Sequence, residues 1–140
     1  MKNKVIRLSV IMIVLALLLS VVAFATTESS QYLSYYEAYI TKSGNTIKVN
    51  FAVEGTRVMD QIGVTEIYLY EKTSIYGSWN LVQTYLSTNP AYASAMMDDN
   101  VGYKDDYVSY SGSSSYQYKA YVTVYAEKDG GSDSRDIIAY

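Results

Sequence analysis

The sequence predicts an all-β fold: one antiparallel β-sandwich of about seven short strands, carried behind an N-terminal targeting segment. Three observations predict it. Apolar and polar residues alternate with period two over much of the chain beyond residue 31, the pattern of half-buried strands. Turn-forming residues punctuate that alternation: Gly44-Asn45, Gly55, Gly77-Ser78, the Ser111–Ser115 run and Asp129-Gly130-Gly131. The chain has no cysteine and no histidine, so packing, and neither a disulfide framework nor an ordinary zinc site, must hold it together.

The strands follow in order. Tyr32 to Lys42 is the first. Thr46 to Glu54 is the second, with Ile47, Val49, Phe51 and Val53 on one face and Lys48, Asn50 and Glu54 on the other. Val64 to Lys72 is the third, where Ile67 and Leu69 oppose Glu66, Tyr68, Tyr70 and Lys72. Trp79 to Leu86 follows the Gly77-Ser78 turn. Asn89-Pro90 is a helix-start pattern and predicts a short helical turn through Met97. Tyr103 to Ser111 is the fifth strand. The sixth, Tyr116 to Ala126, sets Tyr118, Ala120, Val122, Val124 and Ala126 against Lys119, Tyr121, Thr123 and Tyr125. Ser132 to Tyr140 completes the set. Seven short strands in about 100 residues point to an immunoglobulin-like or fibronectin type III-like sandwich.

Residues 1–25 read as a cleaved signal peptide. Lys2, Lys4 and Arg7 precede an apolar run from Leu8 to Phe24, and Ala23-Phe24-Ala25 is a small-residue cleavage pattern. The rival reading is an uncleaved anchor. A helix from Leu8 to Phe24 would measure roughly 25 Å, short of a hydrocarbon core of about 30 Å. Cleavage leaves residues 26–31 as a polar, flexible tail and 32–140 as the sandwich, in a secreted, extracellular protein. The mature part keeps 14 acids against eight cations, a net charge of −6. Such a domain repels nucleic acid and anionic membranes. A cysteine-free exported chain suits a bacterial export route.

Two pairs of segments resemble hairpins of fibronectin type III domains. Ile67–Lys72 with Gly77–Val82 is similar to the C–C′ hairpin, and Tyr116–Tyr125 with Gly130–Ser134 to the F–G hairpin. In that resemblance Tyr116 or Tyr118 takes the place of the tyrosine corner, whose hydroxyl bonds back to upstream backbone. The mature chain, from Tyr32 to Arg135, also resembles a family of small secreted bacterial proteins of unknown function. The matching stretches are Met59–Val64, Ile67–Lys72, Trp79–Tyr85 and Gly131–Arg135. The resemblance implies fold and export; it has no activity to lend. The chain departs from it over residues 90–106, which are rich in Met and Asp.

The functional residues are sought among the 17 tyrosines, all of which lie beyond residue 31. With Ile67, Leu69, Val122 and Val124 turned inward, Tyr68, Tyr70, Tyr121 and Tyr125 share one outer face. A contiguous patch of this kind suits recognition, since tyrosine offers a large rigid ring with a polar tip. The plainer reading is sheet stabilisation by cross-strand aromatic pairs. Trp79, the single tryptophan, is either packing at the sandwich edge or a stacking platform for a sugar. Asp98, Asp99, Asp105 and Asp106 are oxygen donors of a type that holds calcium, yet their spacing fails the EF-hand loop and favours a solvated acidic loop.

Without His or Cys there is no Ser-His-Asp triad and no Cys-His dyad. No carboxylate pair is singled out for glycoside hydrolysis. The expectation is a non-catalytic binding module, without cofactor, for an extracellular protein or glycan. A self-assembling or surface-adhesion component is the alternative, and a small hydrolase the remote one.

Overall fold

A computed structural model describes residues 30–140. The chain runs β1 (Leu33–Ser43), β2 (Thr46–Lys72), β3 (Asn80–Leu86), a one-turn helix α1 (Ala93–Met96), β4 (Met97–Ser111), β5 (Gln117–Lys128) and β6 (Gly131–Ala139). The all-β expectation holds. The six strands form one antiparallel sheet, curled into a half-barrel.

β2 organises this sheet. Its first half, from Thr46 to Gly55, is flanked by β1 on one side and β4 on the other. Its second half, from Gln61 to Lys72, has β5 on one side and, from Glu66 onward, β3 on the other. β6 extends the sheet beyond β5. The curl brings the inner faces of the two halves together. The Ile40 amide donates to the Tyr140 carbonyl at 3.0 Å, so β1 meets the end of β6.

The expected count of seven strands is corrected to six, because 46–54 and 64–72 are parts of one strand. Gly55 reads as a turn residue in the sequence. In the structure it is buried and still paired with Leu33, and a Cβ there would come 2.6 Å from Met59 Cγ. The missing side chain lets the strand bend over Met59 without ending, as glycine does at bends and bulges. A second irregularity lies between Val64 and Glu66 against β5. Thr65 is the extra residue there, and it shifts the inward parity from Ile62 and Val64 to Ile67 and Leu69.

The core is the set of inward faces the alternation predicts. Ile47, Val49, Phe51 and Val53 meet Ile67, Leu69, Ala120, Val122, Val124 and Ala126, all essentially without solvent contact. Burying a side chain such as Val, Leu, Ile or Phe contributes about 1.5–3 kcal/mol each. Met59, Met96 and Tyr85 are buried in the same cluster. The Tyr118 hydroxyl accepts from the Ser113 amide at 2.9 Å and donates to the Ser113 carbonyl at 3.1 Å, closing the turn before β5.

A short helical turn is present, but it starts later than the Asn89-Pro90 pattern predicts: α1 is capped at Tyr92, without a side-chain bond, and Met97 already belongs to β4. Asn89 Oδ1 accepts from the Ala91 amide at 3.0 Å, and the chain turns into α1. β4 begins at Met97, earlier than the expected Tyr103, because Met97, Asp98 and Asp99 pair with Gly63, Ile62 and Gln61. Of the expected flexible tail 26–31, the structure describes Ser30 and Gln31. Ser30 hydrogen-bonds Asp133 and accepts from the Leu33 amide, while Thr56 donates to the Gln31 carbonyl. The signal segment 1–25 and the rest of that tail lie outside the described residues.

Candidate functional site

The four tyrosines singled out by the sequence do lie on one outer face of β2 and β5. Tyr68 sits directly across the ladder from Tyr121, and Tyr70 from Lys119. The row continues on both sides, with Thr84 of β3 opposite Tyr68 and Ile138 of β6 opposite Tyr121. The rings of Tyr70 and Tyr121 meet edge to face with centroids 5.6 Å apart.

Lys119 gathers this end of the face. Its ammonium lies 4.8 Å from the Trp79 ring, 5.2 Å from Tyr121 and 5.6 Å from Tyr70, and it donates to the Tyr121 hydroxyl at 3.3 Å. The Lys72 ammonium lies 5.3 Å from the same Trp79 ring. These are cation–π contacts at the surface, each contributing about 0.5–1 kcal/mol. They hold the half-buried Trp79 just before β3, where it also lines an end cleft of about 380 Å³ with Ile40, Lys42, Gln117, Tyr118 and Tyr140.

Tyr125 stands apart from the other three, four residues along β5. On the β2 side the residue opposite it is Gly63, which has no side chain, and on the β6 side it is Ser134. There the sheet opens into a cleft of about 510 Å³ lined by Gln61, Thr65, Ser87, Thr88, Ser94, Met97, Asp99 and Tyr125, with Ala93. Its walls are β4 with α1 on one side and the end of β3 on the other. Gly63 permits this, since a Cβ there would collide with the Met96 carbonyl oxygen, and its φ of +148° favours glycine.

The hydroxyls follow a rule. Tyr68 donates to Glu66 at 3.0 Å, Tyr125 to Glu127, and Tyr103 to Asp105 at 3.2 Å, each an acid two residues away on the same strand face. The bond to Glu66 raises the Tyr68 pKa, and that to Glu127 raises the Tyr125 pKa. The hydroxyls stay protonated and bonded along the strand; the Tyr103 side chain is exposed, while Tyr68 and Tyr125 are half-buried.

The four aspartates considered for calcium do not converge. Asp98 and Asp106 both turn to Lys104, at 3.4 and 3.5 Å, and Lys104 also donates to the Ser94 carbonyl at 2.9 Å. Asp99 faces Gln61 and the cleft, and Asp105 lies on the opposite outer face with Tyr103. Among the described residues no three acidic side chains gather around one point. A nearly buried lysine stands where the sequence offered a cation site.

A second tyrosine face was not foreseen. Tyr35 and Tyr39 on β1 and Tyr103 and Tyr107 on β4 flank the first half of β2 in register, in the rows Tyr35–Glu54–Tyr103 and Tyr39–Asn50–Tyr107. Between them lies Glu37–Ala52–Asp105. A signal for it exists in the chain. Both strands carry Tyr-x-acid-x-Tyr, as Tyr35–Glu37–Tyr39 and Tyr103–Asp105–Tyr107. The hydrogen bond with Glu37 raises the Tyr35 pKa, and burial followed by the Asp105 charge raises that of Tyr103.

Comparison with known proteins finds no matching family model, no matching curated protein and no matching solved structure.

Proposed function

We propose that the protein is an exported, non-catalytic binding module that recognises an extracellular glycan or protein through the outer face of β2 and β5. The carrying observation is the continuity of that face. It runs from the Tyr68–Tyr121 pair, with Tyr70 and Trp79, to the polar cleft at Tyr125. Sugars have apolar C–H faces and polar rims, and this surface offers aromatic rings beside hydroxyls, an amide and the Asp99 carboxylate. The cleft volume falls within the range of small-molecule sites, roughly 300–1,000 Å³. A glycan is therefore the occupant the geometry favours. Export rests on the Lys2–Ala25 pattern.

The same proposal takes the curled sheet as a fibronectin type III-like sandwich and the chain as a member of the small secreted bacterial family it resembles. The antiparallel β2–β3 and β5–β6 hairpins and the Tyr118 bond to the Ser113 backbone support this.

A glycan array, followed by titration of the best ligand, tests the recognition reading. Tyr68→Ser and Tyr121→Ser are expected to weaken binding at least tenfold with the fold retained. Loss of stability with binding intact would refute it. The second reading is self-assembly. Among the described residues β3 and β6 are each paired on one side only, and exposed Leu81, Leu86 and Ile138 lie beside those edges. A concentration-dependent mass in light scattering would favour it.

A further inference from the structure

The face formed by β1, the first half of β2 and β4 is distinct from the glycan face. Tyr35, Tyr39, Tyr103 and Tyr107 are 47, 48, 51 and 44% exposed, so nothing described covers them. At about half exposure four tyrosines present roughly 400 Å² of ring surface, as large as the main apolar patch of a typical monomer.

Strand register sets the four tyrosines around a low centre, a shallow trough on the outer face. The tyrosines stand in two columns about 10 Å apart, twice the strand spacing, and those in one column lie about 13 Å from each other. Between the columns runs β2, whose side chain at the centre is only the methyl of Ala52, 6% exposed beneath its neighbours, with the Tyr35 and Tyr103 hydroxyls bonded to the flanking Glu37 and Asp105. Glu37 and Asp105 face each other across that methyl, and Glu54 closes the upper row. Tyrosine rings and carboxylates both attract cations, and three acids repel phosphate-bearing partners. The molecule already shows the chemistry: Lys48, one row below, holds its ammonium 3.8 Å from the centre of the Tyr107 ring.

We propose that this trough binds an extended polypeptide segment of another protein bearing arginine, with a guanidinium seated over Ala52 between Glu37 and Asp105. Charge complementarity selects the partner. A planar guanidinium can hydrogen-bond two carboxylates and stack on tyrosine, which an ammonium does less well. The spacing selects the extended form. Alternate side chains of an extended strand recur about every 6.7 Å, so tyrosine, acid and tyrosine along each column meet three successive same-face positions of the peptide.

The test uses fluorescein-labelled (Ser-Arg)4 in fluorescence anisotropy at 0.15 M salt, with (Ser-Glu)4 and (Ser-Lys)4 beside it. Saturable binding of the arginine peptide is expected, at least threefold tighter than the lysine peptide, with none for the glutamate peptide. Glu37→Gln with Asp105→Asn is expected to weaken it at least tenfold, and so is Tyr39→Ser with Tyr103→Ser. Asp129→Asn with Asp136→Asn removes the same charge elsewhere on the surface and is expected to change it less than twofold. Circular dichroism and the melting temperature establish that each variant is folded. Equal weakening by the two charge-removing pairs would reduce the effect to general attraction and overturn the proposal. Equal binding of spermine would do the same, by reassigning the trough to small polyamines.

Discussion

Tyr70 of β2 and Tyr121 of β5 meet edge to face, 5.6 Å between ring centres and 82° between planes, diagonally across the sheet. Lys119 lies within 6 Å of both rings. A double-mutant cycle with Tyr70→Ser and Tyr121→Ser is expected to give a coupling of about 0.5–1.5 kcal/mol in urea denaturation. Additive losses would mean that the rings are neighbours without interaction.

Gly63 leaves no room for a side chain, because the Met96 carbonyl oxygen stands where its Cβ would be. Gly63→Ala places a methyl against the Met96 carbonyl at a φ that disfavours it. A loss of about 2–3 kcal/mol is expected, the scale of one strained backbone position. The urea midpoint measures it. An unchanged midpoint would show that α1 yields freely.

Lys104 has three protons and three acceptors: the Ser94 carbonyl, Asp98 and Asp106. Lys104→Met keeps the stem and leaves that carbonyl without its donor. A cost of about 1–3 kcal/mol is expected. Amide exchange of Met96 and Met97 is expected to accelerate more than that of β6. Uniform acceleration would deny α1 a local clamp.

Stability is expected to fall at both ends of the pH scale. The hydrogen bond from Lys128 lowers the Asp60 pKa, and that from Ser30 lowers the pKa of Asp133. Their contribution is present above the unfolded carboxyl value of about 3.9 and is lost as pH falls through the lower folded values. Burial raises the Tyr85 pKa far above the ordinary value, and its hydroxyl donates to the Ser109 carbonyl at 2.8 Å. That contribution is complete below about pH 10 and is lost as pH climbs toward the folded value. Denaturation midpoints from pH 3 to 11 check both limbs. Asp60→Asn with Asp133→Asn is expected to flatten the acid limb, and Tyr85→Phe the alkaline one.

The parts of the fold that were legible in the sequence are those set by alternation alone. Ile47 to Val53 and Tyr118 to Ala126 point where period two places them. Gly55 misled because glycine marks both ends and bends of strands; only the presence of Met59 beneath it decides between them. The outer placement of Tyr68 and Tyr121 was legible because each lies on a strand with a clear apolar face. The trough was not, since Tyr35 and Tyr103 are 68 positions apart in the chain. They become companions only because β1 and β4 take opposite sides of the same strand with matched register. The cleft at Tyr125 depends on where β3 gives way to β4 beside β2, a tertiary fact with no local pattern.

The 27-residue β2 carries a consequence for how the molecule comes apart. Every strand except β6 pairs with it directly, and β6 reaches it through β5. Losing β6 would trim one margin. A break near Gly55 would leave β1 and most of β4 on one part and β3, β5 and β6 on the other, each stripped of the inner face it packs against. Neither half has a hydrophobic layer of its own, so the two cannot melt in sequence. The central amides from Ile47 to Leu69 are expected to exchange with solvent only through global unfolding, at one common free energy, while the ends of β3 and β6 open earlier. The strand that runs through both tyrosine surfaces is thus also the one that makes them a single cooperative unit.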